Sequence, residues 1–388
     1  MKPTLLLIIG LFFGLGVHAQ SSWENIAVQG EAMTRHENSF VACKGKLYAL
    51  GGRGVRSVDK FDPKTQKWEK YANAPMEISH FQAVALNGEI WVIGAFTGSY
   101  PHETPIPTAL IFNPQTRKWR EGPKLPMGRE RGSAGVVVKD GLIYMAGGIQ
   151  DGHYEGFVSW FDVLNPKTGK WEVLPDAPRA RDHISAAMVG DKLYLAGGRT
   201  SHAAIGKVLE TTIEEVDYFD FKQGKWISNT TQIPTPRAGN SNLGIGKYLV
   251  VMNGESAAQV PAHAEVEVLD TETNQWIILP SLNQGRHGTG AVIFKGKIYV
   301  AAGSANRGGG PELNSLEILD WKKAIQTNIN CGNCLSKVSP ILNAESGIAE
   351  WNVDLQDPEK TLTVKTVDLN PDDIKKTVLK SGFLANPK

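Results

Sequence analysis

The sequence predicts an all-β propeller of six blades, followed by a small α+β module of the ferredoxin-like βαββαβ type. Three observations carry this. A strand ending in two small residues recurs six times, at intervals of about fifty residues, and most units close on a tryptophan. The 388 residues include 41 glycines and 10 tryptophans, a composition suited to many short strands joined by tight turns. After Asp320 the repeat stops, and helical spacing alternates with strand spacing.

Residues 1–20 precede the first unit. Lys2 gives a positive start, residues 5–17 form an apolar run, and Val17-His18-Ala19 supplies small residues before a cut at Gln20. The run is short of the roughly 20 apolar residues that a span requires. It therefore reads as a cleaved secretory signal, and the mature protein as secreted or periplasmic without a membrane anchor. A formal net charge of +1 argues against nucleic acid as a partner, and three cysteines are too few for a disulfide scaffold.

The repeated pairs are Gly51-Gly52, Gly94-Ala95, Gly147-Gly148, Gly197-Gly198, Asn253-Gly254 and Ala302-Gly303. Each strand before them follows a turn signal such as Asn87-Gly88 or Asp140-Gly141, and downstream come Trp68, Trp119, Trp171, Trp226 and Trp276. Four strands fit each unit. One such sheet cannot bury both faces, whereas radial stacking can. The sixth unit ends at Asp320 without a fourth strand, and Trp23 stands alone near the start, so residues 23–28 are expected to complete that blade.

The fixed order of paired glycine, aromatic and closing tryptophan resembles the kelch repeat over residues 21–321. The resemblance implies a binding platform. Kelch propellers also include a six-bladed sialic acid epimerase and a seven-bladed copper oxidase of galactose. Asn253-Gly254-Glu255 is similar to a short epimerase segment, so a carbohydrate-active enzyme is the alternative function. No catalytic residue is assigned.

Antiparallel neighbours reverse direction, so the loop entering a blade's first strand and the loop leaving its second lie on one face of the disc. After the paired small residues stand Arg53, Phe96, Ile149, Arg199, Glu255 and Ser304; before the first strands stand Glu37, His80, Ser133, His183, Gly239 and Gly288. Arg53, His80, His183, Arg199 and Glu255 interrupt the repeat there. They are the candidate residues for a protein partner or a small polar or carbohydrate ligand. Arg35, Arg131, Arg181, Arg237 and Arg286 recur too regularly for that role and are expected to brace neighbouring blades. Insertions at residues 97–108 and 200–214 should overhang the same face.

Residues 324–388 are expected to form the second module: a strand over 324–330, a helix carrying Leu335, Val338, Ile341 and Leu342, two strands around Asp357-Pro358, a helix starting at Asn370, and a last strand over 383–388. Cys331 and Cys334 form a C-x-x-C loop entering the first helix, where two thiolates can grip one soft ion. The module resembles the heavy-metal-associated domain of copper chaperones, although Asn328-Ile329-Asn330 and Pro340 depart from that pattern. The reading is Cu(I) at Cys331 and Cys334, with Zn(II) second and a metal-exchange partner. A structural disulfide and a redox dithiol are the alternatives.

Overall fold

The computed structural model describes residues 22–326, 332–354, 362–366, 369–383 and 385. The secretory signal expected over residues 1–20 lies outside them. Six four-stranded antiparallel sheets follow one another around an axis. Blade 1 runs Asn38–Cys43, Lys46–Gly51, Ser57–Asp62 and Lys67–Asn73, and the later blades repeat that order. The second strand is apolar on both faces because a blade is covered on both sides. Leu47 and Ala49 pack against blade 6, while Tyr48 and Leu50 pack against blade 2.

Blade 6 consists of Ala291–Phe294, Lys297–Ala301 and Leu316–Asp320, closed by Glu24–Asn25 from the other end of the chain. Glu24 faces Ile318 and Asn25 faces Glu317. Trp23 is buried, and its indole N–H donates to the Pro280 carbonyl at 2.9 Å. The closure expected from Trp23 is present. Trp119, Trp171 and Trp226 make the same kind of bond, each to a carbonyl of the preceding blade (Asn73, Lys124 and Pro175).

The paired glycines serve the joint between blades. Gly51 sits at φ +76 and Gly52 at φ +117, and the Gly52 N–H donates to the Ile78 carbonyl at 2.8 Å. A Cβ on Gly51 would lie 2.5 Å from that carbonyl oxygen.

The repeat-opening arginines correct one expectation. Their side chains brace the blade they introduce, not its neighbour. All five are fully buried, and Arg35 donates to the carbonyls of Ala49, Gly51 and Ser57 while pairing with Asp59 at 2.5 Å. Asp162, Asp217, Glu267 and Glu317 pair in turn with Arg131, Arg181, Arg237 and Arg286. It is the backbone that reaches the preceding blade, as in the Gly303 N–H to Arg35 carbonyl bond of 2.8 Å and the Arg35 N–H to Leu313 carbonyl bond of 3.3 Å.

Beyond Asp320 the described residues form α1 (Trp321–Gln326), α2 (Gly332–Ala344), a hairpin of Ile348–Val353 with Leu362–Thr366, and α3 (Pro371–Leu379). The ferredoxin-like fold is not shown: these residues carry a two-stranded sheet with helices, and the strand expected from Ala324 begins as a helix. Trp321 and Ala324, three residues apart, both bury into the cluster shared by blades 5 and 6. Of the strand expected over 383–388, only Phe383 and Ala385 are described. Val338, Leu342, Val353 and Val378 form the module's small core, and Leu379 packs onto the propeller. Asn370 caps α3 by accepting from the Asp372 and Asp373 N–H groups, as its sequence implied. No helix among the described residues is long and apolar enough to cross a membrane.

Candidate functional site

Six equivalent residues ring the axis. Glu37, His80, Ser133 and His183 hold φ between +49 and +54, and Gly239 and Gly288 both hold +61. Their backbones form a continuous circuit around the axis: His80 N–H to Glu37 (3.0 Å), Ser133 to His80 (2.8 Å), Ile184 to Ser133 (3.4 Å), Gly239 to His183 (2.7 Å), Gly288 to Gly239 (3.1 Å) and Asn38 to Gly288 (3.0 Å). Left-handed backbone is unfavourable for a side-chain-bearing residue, and here the circuit over-determines it. Four side chains are thereby held rigidly at the axis.

Above the ring opens a cavity of about 890 Å³, lined among others by Arg53, Tyr100, His153, Arg199, Leu209 and Glu255. His80 and His183 lie deeper and face a narrow channel of about 60 Å³. The insertion of blade 2 forms a hairpin, Phe96–Thr97 with Thr104–Pro105, that carries Glu103 inward. The loop of blade 3 between Ile149–Asp151 and Glu155–Phe157 carries His153 to it. Glu103 then bridges Arg53 Nη2 (2.6 Å) and His153 Nδ1 (3.1 Å).

His80, His153 and His183 converge, with one ring nitrogen of each within 4.8 Å of the others. His153 Nε2 and His183 Nε2 are 2.9 Å apart. His183 Nδ1 lies 2.5 Å from Asp182 Oδ1, and Asp182 also accepts from the N–H and O–H of Ser201. His80 Nδ1 lies 3.1 Å from Ser79 Oγ, whose hydroxyl donates to the Phe96 carbonyl at 3.3 Å. Across the axis, Arg199 Nη1 pairs with Glu255 Oε1 at 2.6 Å, and His287 lies between Glu255 and Glu37, at 3.5 and 3.8 Å.

Burial, then the positive charge of Arg199 and the neighbouring histidines, holds His183 well below the usual imidazole range. Burial does the same to His80, aided by His153 and Arg53. For Glu103 burial pushes upward, but the bonds from His153 and Arg53 win and hold it at about 2. Burial likewise opposes ionisation of Glu255, and His287 and Arg199 bring it down to about 2. The depressed Glu255 carboxyl contributes stability that is complete above the ordinary carboxyl range and is lost as pH falls from about 4.5 toward 2. A Glu255→Gln protein should be less stable than the parent by roughly 3 kcal/mol at neutral pH. That gap should close on acidification in denaturant melts, and a pH-independent gap would refute it.

Of the residues singled out from sequence, Arg53, Arg199 and Glu255 line the cavity, with His80 and His183 below it. Cys331 lies outside the described residues, and Cys334 stands in the first turn of α2. Cys43 is a buried strand residue whose thiol is pushed up by burial. Sequence reasoning missed Glu103, His153 and Asp182. Asp182-His183 was a readable signal; the other two sit in segments without repeat register.

Comparison with known proteins agrees with this architecture. A family model described as the KLHDC2/KLHL20/DRC7 Kelch-repeats domain matches residues 82–303, more than half of the chain. The Kelch motif matches residues 34–75 and 285–325. Kelch-like protein terF of Aspergillus terreus is 29% identical over 73% of this chain, which spans 64% of that protein. Human Kelch-like protein 23 is 24% identical over 70% of this chain, which spans 48% of it. Among solved structures, the one titled "Structure of YjhT" superposes with a TM-score of 0.63, covering 75% of this chain and 97% of that one at 15% identity. That likeness is one of fold. Six blades, buried arginine braces, glycine-paired joints and these matches together place the chain in the kelch-repeat family.

Proposed function

We propose that the protein is a ligand-binding kelch propeller that holds a small polar ligand, anionic or carbohydrate-like, in the cavity over its axis. The observation that carries this reading is the cavity of about 890 Å³, with Arg53 and His153 on one wall and Arg199 and Glu255 on another. Its volume suits a small molecule, and its walls combine a few fixed charges with apolar surface from Val208 and Leu209. Tyr100, 58% exposed on the blade 2 insertion, offers a ring face at the rim. Arg53 is the guanidinium to test, because its side chain is 25% exposed whereas that of Arg199 is 1% exposed.

A panel of acidic and neutral sugars and small carboxylates, read by thermal shift and then calorimetry, identifies a binder. Arg53→Gln should weaken its binding about tenfold to a hundredfold, the effect of losing one charge-assisted hydrogen bond. Unchanged affinity in that variant, or a bound structure with the molecule on the opposite face, would sink the proposal.

The C-terminal module supports a second role. We propose that Cys331 and Cys334 bind Cu(I), with Zn(II) second, for exchange with a partner. The supporting observation is that Cys334 stands in the first turn of α2, where a helix N-terminus favours thiolate, and Cys331 precedes it by three positions in the sequence. Cu(I) titration of the reduced chain against the Cys331→Ser/Cys334→Ser form decides this. Export after cleavage near Gln20 is proposed with it, and N-terminal sequencing of the mature protein checks it.

A further inference from the structure

We propose that His80, His153 and His183 form a three-histidine site for a first-row divalent transition ion, with Zn(II) as the reference metal, at the floor of the axial cavity. The metal site does not depend on the ligand reading above. Only its fourth position, open toward the cavity for water or a ligand oxygen, rests on that reading.

The hydrogen bonds around the rings set their tautomers. Glu103, fixed by Arg53, accepts at His153 Nδ1, so that nitrogen carries the proton. Asp182 does the same at His183 Nδ1. Ser79 has committed its hydroxyl proton to the Phe96 carbonyl and accepts from His80 Nδ1. All three Nε2 atoms are left with lone pairs: that of His80 has Arg53 Nη2 and Glu37 Oε2 each at 3.4 Å, and those of His153 and His183 face each other at 2.9 Å. Two imidazole lone pairs at that separation repel unless a proton or a metal ion lies between them.

The surrounding charge asks for the same thing. Glu37, Glu103, Asp182 and Glu255 are buried around the mouth, against the two guanidiniums of Arg53 and Arg199. Four carboxyl groups thus face two guanidiniums and the His287 ring, which lies 3.5 Å from Glu255 and 3.8 Å from Glu37, so negative charge predominates. Unpaired buried charge is costly, so a cation at this point stabilises the whole cluster.

The donor set selects the class of ion. Neutral imidazole suits Zn, Cu, Fe and Ni, whereas Mg and Ca take oxygen ligands. Carboxylates behind His153 and His183 are the usual outer partners of metal-bound histidine, fixing the ring and raising its basicity. Three imidazoles on one side with a cavity on the other match a four-coordinate ion keeping one exchangeable position. Zn–N bonds of about 2.0–2.1 Å need the Nε2 atoms of His153 and His183 only slightly further apart than 2.9 Å, with a ring nitrogen of His80, within 4.8 Å of both, completing the set.

The test uses the full chain carrying Cys331→Ser and Cys334→Ser, so that thiolates do not compete. After chelator treatment and dialysis it is titrated with Co(II), then with Zn(II). One equivalent of Co(II) should give the intense visible absorption of a tetrahedral ion without a thiolate charge-transfer band, and Zn(II) should bleach it. Zn(II) should also raise the melting temperature. His153 sits on a loop between two short strands, so His153→Ala should fold with the parent circular dichroism spectrum and bind at least a hundredfold more weakly. Glu103→Gln, which keeps all three imidazoles, should lose about tenfold to a hundredfold in affinity. No binding by the parent at one equivalent, or unchanged binding by His153→Ala, would overturn the proposal. Ligand affinity measured with and without chelator separates this result from the fate of the ligand reading.

Discussion

A chain lacking residues 21–30 is expected to lose most of its stability and its single cooperative melt. This segment closes the ring in two places. Glu24 and Asn25 supply the fourth strand of blade 6, and Gln29 continues across to blade 1, accepting from the Trp68 N–H at 2.8 Å. Trp23 is buried in the cluster of blades 5 and 6, and the Asn283 side chain donates to its carbonyl at 2.8 Å. Loss of a buried tryptophan side chain alone costs about 3–5 kcal/mol. A domain of this kind has roughly 5–15 kcal/mol in total. The deletion also bares the edge of Leu316–Asp320, a template for pairing between molecules, so aggregation should accompany the loss. Trp23→Ala isolates the packing part and should cost about 3–5 kcal/mol. Truncation after Gln326 is the control. It removes the Leu379 contact but keeps Trp321, Ala324 and all six blades, so a cooperative melt at somewhat lower temperature is expected. Denaturant unfolding with size-exclusion chromatography reads all three. A deletion of 21–30 that unfolds like the parent would refute the closure.

The propeller was legible because its signals are local and repeated. Apolar strands such as Lys46–Gly51, turn glycines and the closing tryptophans each mark a position in a unit, and six copies average out departures such as Asn253 or Ala302. Trp23 was readable for the opposite reason, as a closing tryptophan with no strands of its own. The C-terminal module has one copy of everything. A short run such as Ala324-Ile-Gln-Thr fits a strand or a helix, and burial of Trp321 and Ala324 against the blades selects helix for its start.

The mouth divides in the same way. His80, His183, Arg53, Arg199 and Glu255 stand at repeat positions, so alignment of the units aimed them at the axis. Glu103 and His153 come from segments of irregular length, and their meeting spans fifty residues of sequence. No periodicity encodes that contact. It follows from a buried acid needing partners, which Arg53 and His153 provide. The repeat therefore showed where a site would be, and the insertions determine what the site contains.

Arg35→Ala is expected to destabilise the protein by about 3–5 kcal/mol, the cost of leaving a buried charge without its partner. Arg35 is fully buried, spans three carbonyls of blade 1 and pairs with Asp59, which would be left in the core with the Ser57 hydroxyl and the Met33 N–H as donors. The molecule already contains the compensated form. In blade 2 the arginine position is Ile78 and the acid position is Leu110, both buried in one apolar cluster, and the blade keeps its four strands. An ion pair exchanged for packed apolar residues is often neutral or better. Arg35→Ile with Asp59→Leu should therefore recover at least half of the loss caused by Arg35→Ala. Arg35→Lys keeps the charge but lacks the planar fork that spans Ala49, Gly51 and Ser57, so it should fall between parent and alanine variant. Urea unfolding of these proteins, with Arg35→Ile and Asp59→Leu alone completing a double-mutant cycle, measures the coupling directly. If the double variant is as unstable as the sum of its single changes, the brace is not a replaceable ion pair. The carbonyls that Arg35 ties together would then be what the blade cannot lose.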